Sequence, residues 1–229
     1  MIEIIPTVVP HSFEDVRAAA ERNPFARSLH VDFADGLFAP NTTWFPASES
    51  TLAIDGVILE AHLMVKEPRQ MGELLAASGF ARIIGHIEAM GEDVEATLSA
   101  WRLSGARGVG LGTLFATHLE AIYPYIPKCD VIQMMSIASI GVQGIPYESS
   151  APDKIALLHR EYPDLLIADD GGVSLKNIAD LARAGVRRFC VGSALSKSPD
   201  PASTYRELLA LAESGAHPVR DLSDSGQQL

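Results

Sequence analysis

The sequence predicts a single-domain closed (β/α)₈ barrel, the TIM-barrel fold, over residues 1–212. Short apolar runs alternate with amphipathic stretches eight times along the chain. The runs are apolar on both faces, which is typical of parallel strands covered by helices. A length of 229 residues suits one such barrel. An open doubly wound sheet is the alternative, but Gly110-Leu111-Gly112 lacks the third glycine of a dinucleotide-binding turn.

The eight predicted strands are apolar runs of four to eight residues, at 2–9, 27–32, 57–64, 82–86, 106–111, 131–135, 165–168 and 188–191. The stretch at 35–46 after the second strand is a loop, because glycine, prolines and asparagine interrupt it. A poor helical pattern follows at 47–53. A second loop, at 139–147, follows the sixth strand and contains glycines. Both loops lie where the active site of a barrel forms.

Helices are predicted where apolar residues recur at helical spacing. Ser12 and Asp15 form a capping-box pattern, and Pro68 suits a first helical turn. Ser174 is predicted to cap a helix that carries Ile178 and Leu181 on its apolar face. Besides the helix after Ser174, the predicted helices span 12–23, 68–78, 92–103, 119–125, 151–162 and 201–212. Residues 213–229 form a polar C-terminal tail that we predict to be poorly ordered.

Composition disfavours several classes of partner. The net charge of −11, from 18 basic and 29 acidic residues, disfavours nucleic acid and anionic membranes. No apolar run reaches the roughly 20 residues of a membrane span, and no signal peptide precedes the first strand. Cys129 and Cys190 are too few for a disulfide framework and are predicted to be buried thiols in a reducing compartment. We therefore predict a cytoplasmic protein.

Metal-ligand residues stand at the ends of three predicted strands. His30 and Asp32 share one strand face, His62 lies on the next strand, and Asp170 follows the seventh. The carboxyl ends of the strands meet at one end of a barrel, so these four side chains are expected to converge. Two imidazoles and two carboxylates suit one divalent ion such as Zn²⁺, Fe²⁺, Mn²⁺ or Co²⁺. The alternative for each histidine is a hydrogen-bonded residue of the core.

Two further pairs of polar residues stand on strand faces next to these candidate ligands. Glu60 shares a strand face with His62 and could orient that ring as a hydrogen-bond partner. His86 and Glu88 form another pair on one face at a strand end. We interpret this second pair as structural, since four better candidates already complete a metal site.

Glycines after the last two strands predict an anion site. Gly171 and Gly172 lie between the seventh strand and the next predicted helix, and Gly192 and Ser193 follow the eighth strand. Glycine lets the backbone approach a ligand closely, and free backbone N–H groups attract anions. Barrel enzymes often bind a phosphate between these two loops. The alternative is that the glycines only form tight turns.

The chain resembles the ribulose-phosphate 3-epimerase family over nearly its whole length. The segments that carry the resemblance are Leu29-His30-Val31-Asp32 with Asp35-Gly36, Phe38, Pro40 and Asn41, then Ala61-His62-Leu63-Met64-Val65, His86-Ile87-Glu88-Ala89, Met135-Ser136-Ile137, Asp170-Gly171-Gly172-Val173 and Val191-Gly192-Ser193-Ala194. The combination is specific, although each segment alone is short.

The resemblance implies a metal-dependent epimerase that inverts C3 of a ketopentose phosphate, converting D-ribulose 5-phosphate to D-xylulose 5-phosphate. It implies that His30, Asp32, His62 and Asp170 bind one divalent metal ion, with Asp32 and Asp170 also acting as base and acid. The implied contacts to the small phosphorylated sugar are Thr7, His62, Gly171, Gly172, Gly192 and Ser193, with Gly141 and Gly144 of the loop after the sixth strand. A homodimer or higher homo-oligomer is also implied.

Departures from the family pattern concern the substrate-facing surface. The family's Pro-Gly-Phe-Gly-Gly-Gln loop is replaced here by Ser139-Ile140-Gly141-Val142-Gln143-Gly144, and Ala34 and Leu37 replace a usual methionine and histidine. An epimerase of another ketose phosphate and a non-catalytic sugar-phosphate-binding barrel are therefore the alternatives. A related decarboxylase or aldolase needs a lysine between two aspartates, and Asp32-Phe33-Ala34-Asp35 has none.

Overall fold

Eight parallel strands close into a barrel in the computed structural model, which describes residues 1–47, 51–141 and 145–217. Each strand pairs with the next along the chain, and the eighth pairs with the first. The predicted fold is confirmed. The strands are β1 (Glu3–Val8), β2 (Ser28–Ala34), β3 (Ile58–Met64), β4 (Arg82–His86), β5 (Gly108–Thr113), β6 (Val131–Met135), β7 (Ile167–Asp170) and β8 (Arg188–Val191).

Helices cover the outside of this barrel. They are α1 (Phe13–Arg22), α2 (Pro68–Ala77), α3 (Ile87–Met90), α4 (Val94–Leu103), α5 (Ala151–Glu161), α6 (Ile178–Ala184), α7 (Ser193–Ser196) and α8 (Pro201–Ala216). Three 3₁₀ helices complete the described set, at Gly91–Asp93, Leu119–Ala121 and Tyr123–Lys128. The described residues contain no helix with the length and apolar character needed to cross a membrane.

Two helix predictions were wrong in detail. The predicted α-helix at 119–125 is replaced by two 3₁₀ turns, because Pro124 and Pro127 cannot donate backbone hydrogen bonds to a continuing α-helix. Ser174 does not cap a helix with its side chain. Its carbonyl accepts from Ile178 N at 3.1 Å within a turn, and α6 begins four residues later. By contrast, Ser12 and Asp15 form the predicted capping box of α1.

Other boundaries differ by a few residues. Strand β7 runs to Asp170 and β2 to Ala34, so both acidic candidates lie within strands and are held by the sheet ladder. The described part of the segment at 47–53 is not helical. Helix α8 continues to Ala216, so the first residues of the predicted tail are helical. Residues 218–229 lie outside the described residues, and the prediction for the rest of the tail stays open.

The main apolar core fills the layer between the strands and the helices. Its largest fully buried side chains include Trp101, Phe33, Phe80 and Phe189. Trp101 lies so close to α2 that a Cβ at Gly72 would overlap its indole nitrogen, so only glycine fits there. The barrel interior, in contrast, contains buried polar and charged side chains, several of which belong to the site described next.

Candidate active site

Four side chains from three strands meet at the carboxyl end of the barrel. His30 and Asp32 come from β2, His62 from β3 and Asp170 from the end of β7. One ligand atom of each lies within 4.8 Å of the others. The parallel register places Asp32 beside His62, and Nδ1 of His62 is 2.9 Å from Asp32 Oδ1 and 3.3 Å from Asp170 Oδ2. Both rings are fully buried, so their positions are fixed by packing.

Glu60 orients His30, and the prediction that it would orient His62 was wrong. Its Oε1 lies 2.7 Å from Nδ1 of His30, while Oε2 accepts from Arg188 at 2.7 Å. The physical reason is the register, because His30 is the direct neighbour of Glu60 in the β2–β3 ladder. With Nδ1 engaged by a carboxylate, the lone pair of His30 is available at Nε2.

Charges below the cluster hold Glu60 ionised. Burial raises the pKa of this carboxyl, but Arg188 and the hydrogen bond to His30 outweigh that effect and lower the pKa to about 2. Arg188 is 2% exposed, and its guanidinium also donates to Glu3 at 2.9 Å. A line of paired charges therefore runs from the start of β1 to the ring of His30.

The two histidines lie in a strongly negative surrounding. Burial lowers the pKa of His62, but its hydrogen bonds to Asp170 and Asp32 raise the pKa overall. Burial raises the pKa of Asp32, yet the neighbouring His30 and His62 imidazoles hold it well below its usual range. The carboxylates thus attract positive charge to the centre of the cluster, from protons or from a cation.

An observation that does not depend on residue spacing also indicates that this cluster suits a divalent metal ion. Nε2 of His30 is buried and has no hydrogen-bond partner among the described residues, although it lies 3.5 Å from Asp32 and 3.8 Å from Asp170. Buried polar atoms normally have a partner. Two imidazole nitrogens and two carboxylate oxygens suit a borderline divalent cation.

A second contact of His62 comes from a residue that we interpreted as structural. Nε2 of His86 lies 2.9 Å from Nε2 of His62, and Nδ1 of His86 lies 3.3 Å from Glu88 Oε2. His86 does not belong to the four-residue cluster. Its direct contact with a candidate ligand was not expected. A signal was present in the sequence, since His62 and His86 stand on neighbouring predicted strands.

A cavity of about 470 Å³ opens above the cluster. Met64 and Met135 line it and, with Ala34, Ala39 and Ile140, form a small apolar group. The cavity therefore combines a polar base with apolar walls. Its lining includes Thr7, Asp32, Asp170, Gly171, Gly172, Gly192, Ser193 and Gly141 of the predicted site residues, whereas predicted Gly144 lies outside the described residues.

The glycines after β7 and β8 bring backbone close to this cavity. Gly171 and Gly172 have positive φ angles of 111° and 71°, which L side chains rarely adopt. A Cβ at Gly171 would lie 2.7 Å from Ile137, and one at Gly192 would lie 2.8 Å from the Thr7 hydroxyl. Larger residues would clash at both positions. The arrangement suits backbone contacts to a small anion.

Other lining residues were not among the predicted site residues. His11, Asn41, Thr42 and Cys190 face the same cavity. Cys190 is buried as predicted, and burial, against the opposing effect of His30, raises the pKa of its thiol to about 12. It is thus a neutral wall residue near pH 7. His11 and Thr42 follow β1 and β2 in loops, where pattern alone does not indicate which side chains face the cavity.

The fold and the site together define a class: a TIM-barrel enzyme with two carboxylates at a candidate metal site. The model of the ribulose-phosphate 3-epimerase family matches residues 3–196. Ribulose-phosphate 3-epimerase of Escherichia coli K12 is 33% identical over 178 residues, which cover 75% of this chain and 78% of that protein. The chain belongs to the ribulose-phosphate 3-epimerase family, and it is an isomerase.

A second relative agrees with this assignment, and a solved structure agrees with the fold. The cytoplasmic isoform of ribulose-phosphate 3-epimerase from Oryza sativa subsp. japonica is 27% identical over 212 residues, covering 90% of this chain and 92% of that protein. The solved structure of 3-hexulose-6-phosphate synthase from Salmonella typhimurium is similar in fold, with a TM-score of 0.65. It is 13% identical, and the match covers 94% of this chain and 100% of that one.

Proposed function

We propose that this epimerase inverts C3 of D-ribulose 5-phosphate to give D-xylulose 5-phosphate, with Asp32 and Asp170 as its acid/base pair. One observation carries the proposal. The two carboxylates come from β2 and β7 and approach the same atom, Nδ1 of His62, at 2.9 and 3.3 Å. Two carboxylates at one point can serve opposite faces of a substrate bound between them.

The chemistry requires two such groups. A proton on the carbon next to a ketone is removed, which leaves a planar enediolate, and a proton is returned on the opposite face. One carboxylate cannot reach both faces, so one aspartate removes the proton at its carboxylate oxygen and the other returns one. Met64 and Met135 add apolar bulk beside this plane without competing for the proton.

The proposed metal ligands are His30, Asp32, His62 and Asp170. A divalent cation held there would supply Lewis acidity that stabilises the negative charge of the enediolate. The two histidines hold their rings in fixed directions, His30 through Glu60 and His62 through its own contacts. The unpartnered Nε2 of His30 and the convergence of four ligand atoms support this part of the proposal.

We further propose that the sugar phosphate binds with its phosphate near Gly171, Gly172, Gly192 and Ser193, and with Thr7 and His62 at the sugar. The close backbone approach at Gly171 and Gly192 supports this placement. Gly141 of the altered loop packs against Asn41, where a Cβ would overlap the amide oxygen. A cytoplasmic location agrees with the rice relative, which is named a cytoplasmic isoform.

The test is incubation of purified protein of measured metal content with D-ribulose 5-phosphate in deuterated water. Deuterium at C3 together with xylulose 5-phosphate is the expected result. Metal binding without turnover would contradict the substrate assignment and favour another ketose phosphate. Absence of both metal and turnover would favour a barrel that binds a sugar phosphate without catalysis.

A further inference from the structure

A chain of three side chains, two buried imidazoles and the partly exposed carboxylate of Glu88, extends from the candidate ligand His62 to the loop after β5. Nε2 of His62 meets Nε2 of His86 at 2.9 Å, and Nδ1 of His86 meets Glu88 at 3.3 Å. Both imidazole rings are fully buried. Two ring nitrogens at this distance require one proton between them, so the contact fixes how protons are distributed over both rings.

If His62 binds a metal ion, the geometry allows only one arrangement of the protons on the two imidazole rings. Nδ1 of His62 faces the two aspartates and must be free of its proton to act as a ligand. The proton of the neutral ring is then at Nε2, which donates to Nε2 of His86. His86 accepts there and carries its own proton at Nδ1, which donates to the Glu88 carboxylate.

Glu88 is itself held in place. Its Oε1 accepts from the backbone N–H of Leu114 at 2.9 Å and from the hydroxyl of Thr117. Because an ionised carboxylate only accepts hydrogen bonds, it favours the form of His86 with the proton at Nδ1. The opposite form would place a proton from His86 on the shared contact and force one onto Nδ1 of His62, where it would block a metal.

Packing fixes the middle ring as well. The ring of Phe38 lies 5.1 Å from that of His86, centroid to centroid. On the side of β5, a Cβ at Gly112 would already be in contact with the imidazole at 3.4 Å. The ring therefore has little room to turn and exchange its two nitrogens.

From these contacts we propose that His86 and Glu88 are positioning residues that set the tautomer of His62 and thereby the affinity of the site for a divalent metal. The proposal rests on the proposed function, since it takes His62 as a metal ligand. Neither residue belongs to the four-residue cluster or lines the cavity above it. Hydrogen-bond partners of metal-bound histidines typically change metal affinity by about 10- to 100-fold.

The experiment measures the dissociation constant of Co²⁺ by competition with a chromophoric chelator, using the full chain and four variants. His86→Leu, which leaves His62 without an acceptor, is expected to weaken binding by about 10-fold or more. His86→Gln keeps an acceptor for the His62 N–H and should lose less. Glu88→Gln should weaken binding by about 10-fold, because an amide can donate as well as accept and no longer selects one form of His86.

Lys154→Met is the matched control for the structural role of Glu88. Lys154 donates to the carbonyls of Phe115 and Thr117 at 2.6 and 2.5 Å, so it holds the same loop as Glu88 without contacting either histidine. This variant is expected to melt at a lower temperature and to keep the wild-type affinity for Co²⁺. Loss of affinity in Lys154→Met equal to that in Glu88→Gln would overturn the proposal.

A second readout follows the protons directly. Two-bond ¹H–¹⁵N spectra of the Zn²⁺-loaded protein should show His62 protonated at Nε2 and His86 protonated at Nδ1. Observation of His86 protonated at Nε2 would refute the proposed positioning role of His86 and Glu88. Wild-type affinity in both His86→Leu and Glu88→Gln would also refute it while leaving the proposed function intact. Failure of the wild type to bind any divalent metal would refute both the metal dependence and the positioning role of His86 and Glu88.

Discussion

Arg188→Met tests the charged line beneath His30. Arg188 is almost fully buried between Glu60 and Glu3, at 2.7 and 2.9 Å. The pKa of Glu60 falls from its ordinary 4.5 to about 2, which corresponds to about 3 kcal/mol of stability above pH 5 at roughly 1.4 kcal/mol per pH unit. Among the groups that lower this pKa, Arg188 has the largest effect. The variant should therefore lose about 2–3 kcal/mol of unfolding free energy.

The assay is urea unfolding near pH 7, with Arg82→Met as the control. Arg82 belongs to the same group of charges but is partly exposed and lies 3.9 Å from Glu60, so its removal should cost less than about 1 kcal/mol. The double variant Arg188→Met with Glu60→Gln should recover part of the loss, because no buried charge is then left unpaired. Equal losses in the two arginine variants, or strict additivity in the double variant, would refute this reasoning.

The ion pair between Arg188 and Glu60 also predicts how the stability of the protein depends on pH. A carboxyl whose pKa is lower in the folded state than in the unfolded state stabilises the protein above its unfolded pKa, and this contribution is lost as pH falls towards the folded value. Glu60 should thus contribute fully above about pH 5 and lose its contribution between about pH 4.5 and 2. The difference in stability between wild type and Arg188→Met should shrink over that range. A constant difference would contradict the assignment to Glu60.

Three further outcomes are expected at the site. Asp170→Asn should lower kcat by at least about 10²-fold while the circular dichroism spectrum shows an intact fold, and substantial residual turnover would contradict a two-carboxylate mechanism. Removal of metal with a chelator should lower the melting temperature and re-addition should restore it, whereas His30→Gln should show no such response. Gly171→Ala should raise KM for the sugar phosphate while retaining Co²⁺ affinity, because the added methyl would meet Ile137 at 2.7 Å. An unchanged KM would count against the phosphate placement.

The barrel was predictable because its signals are repeated. Eight apolar runs with intervening helical periodicity leave few arrangements, and an error of two residues at a strand end does not change the topology. The segment at 119–125 shows the limit, because apolar spacing suggested an α-helix while Pro124 and Pro127 favoured 3₁₀ turns. The prolines were visible in the sequence, and they carry more weight than the spacing.

The convergence of candidate ligands followed from the strand ends alone, whereas their partners depended on register. Glu60 and His62 share a face of β3, yet the ladder pairs Glu60 with His30 across the strands. The His62–His86 contact depends in the same way on how β3 and β4 pair. A sequence shows which residues share a strand face, but the offset between neighbouring strands is decided by the closure of the whole barrel.

The line of charges from Glu3 through Arg188 and Glu60 to His30 bears on how this barrel can be engineered. The amino-terminal end of such barrels is usually treated as a stability region that can be exchanged independently of the catalytic end. Here an exchange of the lower halves of β1 and β8 would replace Arg188, which lowers the pKa of the Glu60 carboxyl that holds a candidate ligand, and Glu3, which accepts a hydrogen bond from Arg188. In this chain the two ends are therefore one electrostatic unit, and a functional chimera has to transfer them together.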